Sequence, residues 1–250
     1  MASVAERKVK LQELNEYVAG KIWTKVYYLW FCGAEITART TIVKLDSGLL
    51  WVHSPCQLTE DLKLKLALIG NVGYIVAPGT LHNIWAKTWA DQYPQAKVYI
   101  CPGLERKLAA IKDFTVLTTD CEAEWKSEFD QVLVAGRLCS EVLFLHRQSS
   151  TLIVTDVVEN ITDQCIEQHI FNFNWAARLW LNMLRLRNRV LPAPEYRIGG
   201  VTDPAATKLA LTTVLDQWKP DKVILAHGDL IEGVKNVESA LRSCWSNYIR

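Results

Sequence analysis

Four ligand-type side chains stand where apolar runs give out. His53 follows LLWV, His82 comes shortly after GYIVAP, Asp156 closes TLIVTD and His227 closes VILAH. Imidazole nitrogen and carboxylate oxygen both ligate zinc and non-haem iron, and two histidines with one carboxylate are enough for a catalytic metal. In α/β folds ligands gather at the carboxyl ends of strands, where the strand fixes a side chain and the loop leaves room for substrate. Gly228 follows His227, and glycine lets backbone approach a ligand closely. A bland reading stands beside this. A lone strand-end histidine is more often structural than a ligand, and an aspartate before a loop commonly serves a turn. No two of the four share a local motif, so the case rests on their repetition.

The elements that would carry them read as an alternation of strands and helices. TKVYYLWF (24–31) and RTTIVKL (39–45) are β-branched and aromatic runs, and DSG (46–48) turns the second into LLWVHS as a hairpin. Residues 58–70 predict a helix capped by Thr59 and ended by Gly70. GYIVAP (73–78) predicts a buried strand, 80–94 a helix with His82 just inside it, 97–101 a strand and GLERKLAAIKD a short helix. Three strands follow, at 129–135, 141–146 and 151–156, spaced as an antiparallel meander. Residues 166–190 predict one long helix rich in aromatics and arginines. Asp203 and Pro204 open another that runs to about Trp218. VILAH is a last strand and 234–248 a final helix. The first 17 residues are polar and helix-like.

Composition narrows the classes. The chain has 250 residues, 50% hydrophobic and 22% charged, with a formal charge of +1. That composition argues against disorder, and so balanced a charge gives no case for nucleic acid. Seven cysteines, an odd number with no C-x-x-C pair, speak against a disulfide framework or zinc ribbon and for reduced thiols in a cytoplasmic protein. No run approaches the length of a membrane-spanning helix, and no signal peptide is evident. Without G-x-G-x-x-G or a P-loop, no nucleotide cofactor is expected. Ten tryptophans suggest a thick aromatic core or an exposed docking surface. Ser54, Asp156 and His227 stand in the chain order of a serine hydrolase triad, but no G-x-S-x-G elbow supports that reading. His146 and His169 read as structural.

The order of elements, with a histidine after one strand, an aspartate after another and a late AHG strand end, resembles the metallo-β-lactamase superfamily over nearly the whole chain. WVHSP (51–55), IVAPGTLHN (75–83), FLHRQSSTLIVTD (144–156) and VILAHGDLI (223–231) resemble one uncharacterised branch of it with an eroded first metal motif. Where the superfamily has T-H-x-H-x-D-H, this chain has Ala77-Pro78-Gly79-Thr80-Leu81-His82-Asn83. Pro78 and Thr80 replace the H-x-H pair, His82 falls on the motif aspartate and Asn83 on the final histidine. Arginine stands near the third motif, at Arg137. Asp156 matches the bridging aspartate, His227 matches the last histidine, and His53 stands where an early strand ends in aspartate.

The resemblance implies an αββα sandwich, read here as one domain over residues 1–250. It also implies one zinc or iron ion at an altered site. Asp156 and His227 are the expected catalytic ligands, with His82 and His53 completing the metal shell. Such an ion would lower the pKa of bound water toward about 7 and support hydrolysis of a small-molecule substrate. Arg137 and Arg147 are expected, from charge alone, to bind an anionic substrate. The alternative is a catalytically inactive, metal-free descendant that binds a partner through the 166–190 helix. That helix could instead cover the core or a homo-oligomer interface, and membrane contact is its less favoured use.

Overall fold

A computed structural model describes residues 12–31, 34–169, 179 and 181–250. Seven strands form the first sheet in chain order: β1 (Leu14–Val18), β2 (Ile22–Phe31), β3 (Ala34–Lys44), β4 (Leu49–His53), β5 (Asn71–Ala77), β6 (Lys97–Ile100) and β7 (Thr115–Val116). The DSG hairpin forms as expected. Gly48 adopts a φ of +83°, which a residue with a Cβ resists, and β3 pairs antiparallel with β4 so that Thr41 faces His53. From β4 onward the sheet is parallel. The crossover from β4 to β5 is the helix Glu60–Ile69, whose cap Thr59 accepts from the Leu62 N–H at 3.2 Å.

The expected meander follows as β8 (Phe129–Ala135), β9 (Ser140–His146) and β10 (Thr151–Ile153). A two-stranded ribbon comes next, β11 (Glu159–Asn160) with β12 (Val190–Leu191). The last strands, β13 (Lys222–Ile224) and β14 (Ile231–Glu232), complete a second sheet ordered β14-β13-β10-β9-β8. Since β10 and β13 are parallel, Asp156 and His227 leave the sheet at the same end.

The two sheets face one another across an aromatic core. Trp51 of the first packs against Phe129 and Phe144 of the second, with ring centroids 4.8 and 5.0 Å apart, and Trp125 packs edge-on to Trp51 and Tyr99. Leu62, Leu66, Ala86 and Trp89 cover the outer face of the first sheet. Leu211, Val214, Leu215, Val237, Leu241 and Trp245 cover that of the second. The layers are therefore helix, sheet, sheet, helix, the αββα sandwich. Among the described residues four tryptophans are fully buried in it, while Trp30 is exposed. Among the described residues no helix is long and apolar enough to cross a membrane.

Several elements differ from expectation. Leu14–Val18 is a strand, because pairing with β2 overrides a helix-like pattern. Residues 103–113 form turns rather than a helix, although Leu104, Leu108 and Ile111 are buried at helical spacing. Only Ala86–Gln92 of the expected 80–94 helix is helical. Its first turn unwinds because the Asn83 amide donates to the Thr80 carbonyl at 2.7 Å and the Thr80 N–H donates to Ser140 of β9. The 166–190 helix begins earlier, as Asp163–His169, and 170–178 lie outside the described residues. It does not reach 190. Arg185 and Asn188 have φ of 54° and 55°, and Asn188 pairs its amide with the Asp163 carboxylate at 2.9 Å, turning the chain into β12.

Candidate metal centre

Three of the four expected ligands meet. His82 Nε2 lies 3.2 Å from Asp156 Oδ1 and 3.2 Å from His227 Nε2, and His227 Nε2 lies 3.5 Å from Asp156 Oδ1. Each offers one ligand atom to a compact triangle of the kind that can hold a metal ion. The three come from different parts of the chain: the turn after β5, the loop after β10 and the loop after β13. His53 is not among them. It is buried at the end of β4, stacked on Trp51 with centroids 5.4 Å apart, and neither ring nitrogen has a hydrogen-bond partner.

Each candidate ligand is held from behind. His227 Nδ1 lies 2.7 Å from the Thr37 carbonyl oxygen of β3. A carbonyl only accepts, so Nδ1 carries the proton and Nε2 points into the triangle. His82 Nδ1 lies 2.9 Å from Ser54 Oγ. The Asp156 loop is fixed by Glu141, a fully buried carboxylate at the start of β9. It accepts from the backbone N–H groups of Thr155, Asp156 and Val157, at 2.7 Å for Asp156 and 2.8 Å for Val157.

Arg39 does the same for the His227 loop. It lies two residues from Thr37 on the same face of β3, and its guanidinium donates to the carbonyls of Leu225 and Gly228, on either side of His227. Gly228 has a φ of +106°, and a Cβ there would lie 2.0 Å from the Asn160 carbonyl oxygen. The sequence reading missed Arg39 and Glu141. Their signal was a charge inside a run of β-branched or apolar residues, in ITARTTIV and SEVLFLH.

The electrostatics follow from burial and mutual contact. Burial works to raise the Asp156 carboxyl, but His82 and His227 outweigh it and hold it well below the usual carboxylate range. Burial likewise works to lower His227, yet the hydrogen bond to Asp156 and the Glu159 charge raise it to about 9. His53, with no acid beside it, is pushed well below 6.5 by burial and then by His82. Burial pushes Glu141 up, and the Asp156 charge adds to it. Burial also pushes Glu159 up to about 8 and lowers Arg39 to about 10.

The two arginines part company. Arg147 follows β9 at the end opposite Glu141, about 20 Å along a seven-residue strand. Its guanidinium grips Asp130 through both carboxylate oxygens at 2.7 and 2.8 Å, so it fastens strands far from the triangle. Arg137 is exposed in the β8–β9 turn, at the same end as the triangle. Ser140 and Thr80 exchange hydrogen bonds between that hairpin and the His82 turn. His146 is structural, with Nδ1 2.7 Å from Ser149 Oγ and burial lowering it to about 4. The ring beside Ser54 is His82, not His227, so the Ser54-Asp156-His227 triad does not assemble.

Comparison with known proteins agrees with this architecture. The model of the domain of unknown function DUF4336 matches residues 19–200. Curated protein sequences give no match. Among solved structures, a metallo-β-lactamase from Pontibacter korlensis aligns with a TM-score of 0.54 at 16% identity, covering 92% of this chain and 98% of that one. The DIM-1 metallo-β-lactamase exposed to ceftazidime gives 0.59 at 14% identity, covering 93% and 98%. The metallo-β-lactamase FIM-1 from Pseudomonas aeruginosa, in its mono-zinc form, gives 0.56 at 9% identity, covering 94% and 95%. At these identities the likeness is one of fold.

Proposed function

The chain belongs to the DUF4336 family and has the metallo-β-lactamase fold, and from that premise we propose that it is a mononuclear metal-dependent hydrolase. His82, Asp156 and His227 would hold the ion. The observation that carries this reading is the triangle itself. Donors held at about 2.0–2.1 Å by a tetrahedral ion stand about 3.3–3.4 Å from one another. The edges here are 3.2, 3.2 and 3.5 Å. Two imidazoles and one carboxylate suit zinc or iron, and the mono-zinc state of FIM-1 favours zinc.

A bound ion would supply Lewis acidity to polarise a substrate oxygen and acidify water. The chain's own residues prepare for it. Thr37 keeps a proton on His227 Nδ1, so Nε2 is the nitrogen that would give up its proton to take the ion. Glu141 stops the Asp156 loop from swinging away. Arg137, exposed at the same end, would meet an anionic group on a small-molecule substrate.

The test is the metal content of purified, untagged protein beside a variant carrying both Asp156→Ala and His227→Ala. About one equivalent of zinc or iron, lost in the variant, supports the reading and justifies a screen of ester, thioester and phosphoester substrates. No metal in either protein, with melting temperatures unmoved by added zinc or iron, overturns it in favour of a metal-free binding protein.

A further inference from the structure

We infer that Ser54 is the positioning residue that directs His82 Nε2 into the metal triangle. The inference rests on the proposed metal centre and extends it to a residue outside the ligand set. Ser54 Oγ lies 2.9 Å from His82 Nδ1. A histidine can offer Nε2 as a ligand only when its proton sits on Nδ1, and that proton needs an acceptor when the ring is buried. For His227 the acceptor is the Thr37 carbonyl; for His82 it is the Ser54 hydroxyl oxygen. The hydroxyl can accept from His82 because Tyr27 Oη, 3.5 Å away, offers its own hydrogen another direction.

The backbone at Ser54 is built for this placement. Its φ is 52°, the left-handed region that non-glycine residues avoid. Two hydrogen bonds hold it there, the Ser54 N–H to the Val76 carbonyl at 3.0 Å and Thr40 Oγ1 to the Ser54 carbonyl at 2.8 Å. The strained turn swings the side chain of the residue after β4 across to the turn after β5, while His53 stays in the aromatic core. The series Ser54, His82, Asp156 has the composition of a nucleophile relay, but Ser54 is 1% exposed, a burial that closes its Oγ to a substrate carbonyl. Burial therefore assigns it to holding His82.

The experiment compares wild type, Ser54→Ala and Ser54→Gly. Zinc affinity is read by competition with a fluorescent chelator, and the ring tautomer of His82 by ¹⁵N spectra of the zinc-loaded protein. Glycine relieves the positive φ and alanine does not, so the two variants should move apart in melting temperature. Both lack the acceptor, so both should bind zinc about 10- to 100-fold more weakly, the usual cost of removing a partner behind a ligand. His82 Nδ1–H should be hydrogen-bonded and slow to exchange in the wild type alone. Zinc affinity equal to wild type in both variants, with the Nδ1–H signal unchanged, overturns the inference and leaves the metal centre standing. Failure of the wild type to bind zinc or iron overturns both.

Discussion

Replacing Asp156 by asparagine keeps the shape of the triangle and removes its charge, and the metal-free protein should answer in the pH dependence of its stability. Folding raises His227 from 6.5 to about 9. A raised histidine contributes stability that is whole below pH 6.5 and is lost as pH climbs through about 9. At 1.36 kcal/mol per unit that shift corresponds to about 3 kcal/mol. Asp156 is shifted the other way, so its contribution is whole above the usual carboxylate range and lost in acid. The two shifts describe one interaction and count once.

Chelator-treated wild type should therefore be most stable near pH 5–6.5 and lose about 3 kcal/mol from this pair by pH 9.5. Glu159, raised to about 8 chiefly by burial, lends a falling slope to both proteins, so the quantity to read is the difference between them. In Asp156→Asn, burial pulls His227 down with only Glu159 and the Thr37 carbonyl left to oppose it, so most of the wild-type fall should be missing from the variant. Urea denaturation at half-unit intervals from pH 5 to 9.5 measures it. Parallel curves for the two proteins would refute the charge coupling on which this account of the triangle rests.

Three further substitutions probe the supports. His53→Phe removes two buried, unpartnered ring nitrogens while keeping the stack on Trp51; denaturation should show stability unchanged or raised by about 1 kcal/mol, and metal content should not fall. Gly228→Ala drives a Cβ to 2.0 Å from the Asn160 carbonyl oxygen at a φ of +106°, so soluble yield or melting temperature should drop sharply. Arg39→Leu strips the donors from the Leu225 and Gly228 carbonyls; a loss of about 2–5 kcal/mol in urea is expected, together with weaker metal binding measured against a chelator.

The sequence was informative where chemistry and structure coincide locally. The hairpin around Gly48, the Thr59 cap, the meander from β8 to β10 and the strand ends bearing Asp156 and His227 all follow from short patterns of turn residues and apolar runs. It misled where one run can satisfy its hydrogen bonds in two ways. Residues 80–85 look helical, but Asn83 and Thr80 bond the backbone themselves and hand it to β9. His53 has the right type and position for a ligand, yet the stack on Trp51 takes its ring into the core. Arg147 has the right charge, but β9 carries it to the far end of the sheet.

What no local pattern could reveal is that the site depends on how the two sheets pack. β3 belongs to the first sheet, yet through Thr37 and Arg39 it grips the His227 loop of the second, about 190 residues later in the chain. The Ser54 turn likewise joins β4 to the loop after β5, and Glu141 ties β9 to the loop after β10. Each candidate ligand is thus held by a residue from a different strand than its own. A change in the spacing of the sheets moves His82, which follows a strand of the first, relative to Asp156 and His227, which follow strands of the second. That makes the aromatic layer of Trp51, Phe129 and Phe144, which sets the spacing, part of the machinery of the triangle. Shortening that layer should loosen metal binding without touching a ligand.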